Sequence, residues 1–301
     1  MEETVLSETL HVISVLENPM EYQRRYDLYS EYVERTRVLP HVELHLVELL
    51  YPGQESGEAL RTIGVFGRDV MFHKENLVNI ALARLPDNAK YAWIDADVAF
   101  TNPHWVEDTL KMLDTYPVVQ LFGETIDLAP DYSPYEPLTG YVKYLRKGGN
   151  SIDKHPVGLA WAARKDTVPC LFDRNILGSG DEVMAKTFAG GVVPGVQSDK
   201  DYGIAWAQWQ RGTVNINYVP GLLLHYWHGS RKNRQGRPER FKSSIFKEVG
   251  FSVLKDLQYN DDKVLEFVNP DCEVAKLAKE YFAWRRDDST VMVTGEDESK
   301  I

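Results

Sequence analysis

Tyr91–Ala92–Trp93–Ile94–Asp95–Ala96–Asp97–Val98 decides how this chain is read. A short run of large apolar residues suits a strand buried on both faces, and here it runs straight into two carboxylates one residue apart. Carboxylates so placed sit at the carboxyl edge of a parallel sheet, where open α/β folds bind their ligands. An Asp-x-Asp pair is also found in plain solvated turns. At a strand end its oxygens suit a hard divalent cation, and a nucleoside diphosphate needs such a cation to offset its charge.

The flanking sequence supports the same architecture. His11–Leu16 is an apolar strand that closes on Glu17–Asn18–Pro19. Tyr22, Tyr26, Tyr29 and Val33 recur at helical spacing and predict a helix over 21–36. Val42–Leu50 alternates as a second strand, and Lys74–Leu85 reads as a helix stopped by Pro86. This β-α-β-α order predicts an α/β fold with a mixed, mostly parallel sheet flanked by helices.

Residues 123–156 are rich in Gly, Pro, Tyr and Asp and read as a long surface excursion. Beyond them the pattern predicts a strand at Gly158–Ala163, a helix at Asp181–Phe188 and a loop at Val192–Lys200. A helix at Tyr202–Gln210 and a strand at Val214–Tyr218 follow. The expected organisation is one domain over 1–230, with a basic segment and C-terminal extension over 231–301 packing on it.

The 301 residues are 43% hydrophobic, enough for a substantial core. Lys+Arg is 34 against Asp+Glu 45, a net charge of −11 that disfavours indiscriminate binding to nucleic acid or anionic membranes. Cys170 and Cys272 are far apart, which excludes a disulfide scaffold and a cysteine-based zinc site as organising principles. The acidic opening Met1–Glu2–Glu3 is unlike a secretory leader, and no stretch has the length of a membrane span. A soluble cytoplasmic protein is expected.

Two further stretches carry chemistry. In His225–Tyr226–Trp227–His228 the imidazoles, three apart, can converge on one ion if the strand end curls into a turn. With an Asp they make a mixed N/O donor set for Mn²⁺, Fe²⁺ or Zn²⁺; two ordinary, partly buried histidines are the alternative. In Gly178–Ser179–Gly180–Asp181–Glu182, glycines allow close backbone approach and an acid opens a helix. That acid serves either as an N-cap or as a general base.

Taken in order, these stretches resemble metal-dependent nucleotide-sugar glycosyltransferases of the GT-A type, most closely the inverting β-1,4-galactosyltransferase group. Val12–Asn18 is similar to that family's first strand and nucleotide loop, and Phe72–Asn79 to its Phe-Asn-Arg-Ala-Lys-Leu-Leu-Asn helix. Asp95–Ala96–Asp97 matches its Asp-Val-Asp. Gly158–Lys165 with Gly178–Glu182 resembles its acceptor-side strand and base-bearing loop. His225–Asn233, running on to Arg237–Phe241, resembles its Met-x-x-His metal pair and basic tail, with His225 in the Met position. Glu17–Asn18 replaces the family's arginines, and the family's cysteines and membrane anchor are absent, so the resemblance implies a bacterial or phage cousin.

The resemblance implies that Asp97, His225 and His228 hold Mn²⁺ (or Mg²⁺) and that Asp95 hydrogen-bonds the donor, expected to be a UDP-sugar. Asp181 or Glu182 is the base, the loop matching in two registers. Glu17, Asn18, Lys74, Asn76, Trp161, Arg231 and Arg237 are the expected substrate contacts. Arg231–Lys242 has six basic residues and one acid, suited to a lid over a diphosphate, to a solvated loop or to nucleic-acid phosphates. The acceptor is a hydroxyl of a saccharide or of a hydroxymethylated pyrimidine in phage DNA, a flipped base then stacking on Trp161, Trp206 or Trp209. A nucleotidyltransferase would want a Gly-rich N-terminal phosphate loop, which Val12–Pro19 lacks. A non-catalytic nucleotide-sugar-binding module is a further alternative.

Overall fold

β1 (Leu10–Glu17) and β2 (Val42–Leu50) pair in parallel along the whole of β1, from Leu10 opposite Val42 to Glu17 opposite Leu49. The computed structural model describes residues 8–55, 61–150, 155–191, 200–209, 214–230, 233, 241 and 244–289. Helix α1 (Gln23–Arg37) connects these two strands, and β3 (Ile63–Phe66) and α2 (Lys74–Leu82) lead to β4 (Lys90–Ile94). Then come β5 (Val98–Phe100), α3 (Trp105–Thr115), β6 (Val118–Gln120), β7 (Glu124–Asp127), β8 (Leu138–Thr139) and α4 (Tyr141–Arg146). The chain continues through β9 (Ala160–Arg164), α5 (Gly180–Phe188), α6 (Lys200–Trp209), β10 (Ile216–Tyr218) and β11 (Leu222–His225). It closes with α7 (Ile245–Glu248), β12 (Leu257–Tyr259), β13 (Leu265–Phe267) and α8 (Glu273–Arg285).

The central sheet is seven-stranded, ordered β10-β6-β9-β4-β1-β2-β3, and only β9 runs against its neighbours. This is the mixed, mostly parallel α/β architecture that the sequence predicts. Strand alternation divides the core between the two faces. Leu10 and Val12 of β1 with Ala92 and Ile94 of β4 pack toward α1 and α3. Ile13 with Tyr91 and Trp93 packs toward α2 and α5. The strand order reverses between β1 and β4, so their carboxyl ends splay and leave a crevice.

Within the expected excursion, residues 123–130 and 138–146 are built into the fold. They contain β7, β8 and α4, and Thr125, Tyr141 and Val142 are buried. β7 and β8 join β5 and β11 in a second, four-stranded sheet ordered β5-β11-β7-β8. Composition concealed this because Thr125 and Asp127, polar residues, supply its inward face.

The last described residues bond to the start of α1 and to the turn after β11. Asp288 accepts hydrogen bonds from Gln23 N and Arg24 N at 3.1 and 2.8 Å, placing a carboxylate at the N-terminus of α1. Trp227 Nε1 donates to Ser289 O at 2.8 Å. Among the described residues no helix is long and apolar enough to cross a membrane.

Candidate active site

A cavity of about 820 Å³ opens at the carboxyl ends of β1 and β4, within the size range of small-molecule sites. Glu17, Lys74, Glu75, Asp95, Asp97, Asp127, Asp181, His225 and His228 all line it. Asp95 and Asp97 follow β4 directly, while His225 ends β11 and His228 lies in the turn beyond. Tyr226 N donates to Asp97 O at 2.8 Å, which ties that turn to the Asp-x-Asp segment.

Asp97, His225 and His228 each bring one donor atom to within 4.8 Å of the others. His228 Nε2 is 3.0 Å from Asp97 Oδ2 and 3.3 Å from His225 Nε2. His225 Nδ1–H donates to Asp127 Oδ1 at 2.8 Å, so its Nε2 is the lone-pair nitrogen and lies 3.8 Å from Asp97 Oδ1. On the far side of His228, Nδ1 faces Asp287 Oδ1 at 3.9 Å. Burial alone would raise the Asp287 pKa; Arg285, the His228 ring and Arg25 instead hold it well below the carboxylate range. Two imidazoles and a carboxylate, backed by two further carboxylates, form a donor set that fits Mn²⁺ or another divalent transition metal.

The second constellation centres on Lys74. Its Nζ lies 2.6 Å from Asp95 Oδ1 and donates to Asp181 at 3.2 Å. Burial lowers the Lys74 pKa, but Asp181, Asp95 and Glu75 outweigh it and the ammonium is held. Burial pushes Asp95 up to about 6 against the pull of Lys74, with Asp181 and Asp97 adding to the rise. Glu75, buried beneath them, rises to about 8 through burial first and Asp181 second. Two glycines make this packing possible. A Cβ on Gly158 would lie 2.7 Å from Asp181 Oδ2, and one on Gly180 only 2.3 Å from Glu75 Oε1.

The expected site residues divide accordingly. Asp181 enters the cavity and is not the helix cap, since Ser179 holds that position at φ 71. Glu182, the other candidate base, turns instead to Lys186 one helical turn on, at 2.5 Å, and lies outside the cavity lining. Glu17 lines the cavity; its Oε2 accepts from His73 N at 2.9 Å, and Oε1 is buried without a hydrogen-bond partner. Asn18 instead closes a turn, pairing with Tyr22 N and O at 3.0 and 2.9 Å. Asn76 is likewise occupied, bridging Lys263 O and Leu265 N, each at 3.0 Å.

Trp161, expected to touch substrate, is 2% exposed and stacks on Trp93 with ring centroids 6.3 Å apart. It sits opposite Trp93 in the β4–β9 register, which keeps both rings in the core. Trp206 and Trp209 donate to Thr187 Oγ1 and Cys170 O and pack against the same core, so none of the three lines the cavity. Arg231, Arg237 and most of the basic segment lie outside the described residues, as does the Val192–Lys200 loop up to its last residue.

Arg25, Glu75, Asp127, Arg285 and Asp287 were not legible as site residues. Arg25 and Arg285 reach Asp287 at 2.8 and 3.3 Å from opposite ends of the chain, a meeting that no local pattern announces.

The fold and site define an α/β protein with a ligand crevice at its topological switch point. No protein-family model matches the sequence, and no curated protein matches it. Among solved structures, the chain is similar to glucosyl-3-phosphoglycerate synthase from Mycobacterium tuberculosis in complex with Mg²⁺ and uridine diphosphate. That likeness has 14% identity, a TM-score of 0.37 and coverage of 87% of each chain. The same synthase with Mn²⁺, uridine diphosphate and phosphoglyceric acid matches at 15% identity and TM-score 0.35, over 73% of this chain and 71% of that one. Francisella tularensis 2-C-methyl-D-erythritol 4-phosphate cytidylyltransferase matches at 8% identity and TM-score 0.36, over 71% of this chain and 91% of that one.

Proposed function

We propose that the chain is a metal-dependent, inverting nucleotide-sugar glycosyltransferase of the GT-A type, with a UDP-sugar as donor. The observation that carries this reading is the convergence of Asp97, His225 and His228 beside the Asp95–Lys74–Asp181 constellation in one cavity. Asp97, His225 and His228 would hold Mn²⁺ or Mg²⁺, which when bound neutralises charge on a departing diphosphate. The closer placement, beside the β-1,4-galactosyltransferases, rests on the order of the motifs at 95–97, 178–182 and 225–241.

The chain's own residues account for the remaining steps. Glu17 Oε1 offers a buried acceptor to a nucleoside N–H or O–H. Asp95 accepts from a donor hydroxyl while Lys74 fixes its carboxylate. Asp181 takes the proton of the acceptor hydroxyl, whose oxygen bonds to the anomeric carbon. The bond from that carbon to the diphosphate oxygen breaks on the opposite face, and the nucleoside diphosphate leaves with the electron pair. One bond forms and one breaks, which inverts the anomeric centre.

The acceptor is read as a saccharide or other small hydroxyl compound in the cytoplasm. The tryptophans expected to stack on a flipped DNA base, Trp161, Trp206 and Trp209, are not in the cavity. The test is a panel of nucleotide-sugars and nucleoside triphosphates, each with and without Mn²⁺, read by melting temperature and product release. Stabilisation and release of nucleoside diphosphate only with a nucleotide-sugar and metal together is the expected result. Release of pyrophosphate from a triphosphate would identify a nucleotidyltransferase, and binding without turnover a silent module.

A further inference from the structure

The amino ends of β1 and β2, at the sheet edge away from the cavity, carry a second cluster of ligand-type side chains. His11 on β1 stands opposite Glu43 on β2 in the parallel register, and His45, two residues further along β2, shares its face. His11 Nδ1 is 3.1 Å from His45 Nε2. Glu43 presents one oxygen to each ring, Oε2 at 3.4 Å from His11 Nδ1 and Oε1 at 3.4 Å from His45 Nε2. The imidazole side chains are 14% and 15% exposed, whereas Glu43 is 58% exposed. The cluster therefore has a walled side and a side open to solvent.

We propose that His11, Glu43 and His45 form a second divalent transition-metal site, of the zinc type, with a coordination position left open to water. Zinc bonds of about 2.0–2.2 Å in a tetrahedral arrangement set donor atoms roughly 3.3–3.5 Å apart. The 3.1 Å between the two ring nitrogens comes close to one such edge, and one oxygen of Glu43 lies within 4.8 Å of both, so a turn of this exposed carboxylate completes the face without moving the strands. Two imidazoles with one carboxylate are a donor set of the zinc type. An ion held there cross-links the start of β1 to β2, far from the reaction, so its role is to stabilise the sheet edge.

The inference stands apart from the proposed function, and its test separates the two sites. Zinc alone is dialysed against the full chain carrying Asp97→Ala, which disables the cavity cluster, and bound metal is measured. The expected result is a single bound zinc and a raised melting temperature, both lost when His11→Gln or Glu43→Gln is added. Cobalt in place of zinc should give the intense visible bands of a four-coordinate ion, absent in either variant. Glu43 is exposed, so Glu43→Gln keeps the fold, and a circular dichroism spectrum checks that it has. Failure of the Asp97→Ala chain to take up zinc overturns the proposal. So does uptake that Glu43→Gln and His11→Gln leave unchanged.

Discussion

His225 commits its Nδ1 proton to Asp127 at 2.8 Å, and thereby turns Nε2 into the nitrogen that faces Asp97 and His228. The hydrogen bond fixes both the tautomer and the plane of the ring. Replacing Asp127 with Ala frees the ring to rotate. Mn²⁺ affinity should then fall by about 10–100-fold, the usual effect of losing such a partner. Calorimetric titration of Mn²⁺ into Asp127→Ala and the parent chain measures this, and equal affinities would count against the assignment of His225.

Asp181 and Glu182 are adjacent in sequence but separate in the fold. Asp181→Asn keeps the size of the side chain and removes the base, so turnover should fall by about 10²–10⁴-fold with donor affinity little changed. Glu182→Gln loses only the pair with Lys186 and should leave turnover near that of the parent. Steady-state kinetics of both variants decide the matter. Full activity in Asp181→Asn would remove that residue from the reaction.

Gly158 sets the position of the same carboxylate. In Gly158→Ala the new methyl would stand 2.7 Å from Asp181 Oδ2, and the movable end of that side chain must give way. The protein should fold with a melting temperature close to that of the parent. Turnover should drop by roughly 10-fold or more, because a displaced base no longer meets the acceptor. Unchanged turnover would show that the carboxylate has room to spare.

Glu75 gives the fold a pH dependence of definite sign. Burial and the nearby Asp181 carboxylate push its pKa up to about 8 from the ordinary 4.5, so between these values the folded chain binds more protons than the unfolded one. Stability then falls as pH rises through this window and levels off above it. Glu75→Gln should therefore flatten the melting-temperature profile between roughly pH 5 and 8, gaining over the parent at the alkaline end. A profile as steep as the parent's would place the titration elsewhere.

Much of the sheet was legible because its strands carry short apolar runs or, in Val42–Leu50, an alternating pattern. Val42–Leu50 was read to the residue, and β1, β4 and α5 within about two residues at each end. The Asp-x-Asp pair was legible for the same reason, since a carboxylate after Trp93–Ile94 has nowhere to lie but the sheet edge. β7 was missed because its inward residues, Thr125 and Asp127, are polar and look like loop. Trp161 was misplaced because an aromatic residue reads alike in a core and on a binding face, and only its pairing with Trp93 decides which. Asp287, held by residues from α1 and α8, has no signal short of the fold itself.

The central claim is that Asp97, His225 and His228 hold a divalent ion beside the donor diphosphate. Anomalous scattering at the manganese edge, from a crystal grown with Mn²⁺ and uridine diphosphate, tests it most directly. The account predicts a peak in the cavity within about 2.0–2.3 Å of an Asp97 carboxylate oxygen and of Nε2 of both histidines. A cavity holding uridine diphosphate with no peak between these three residues would contradict it.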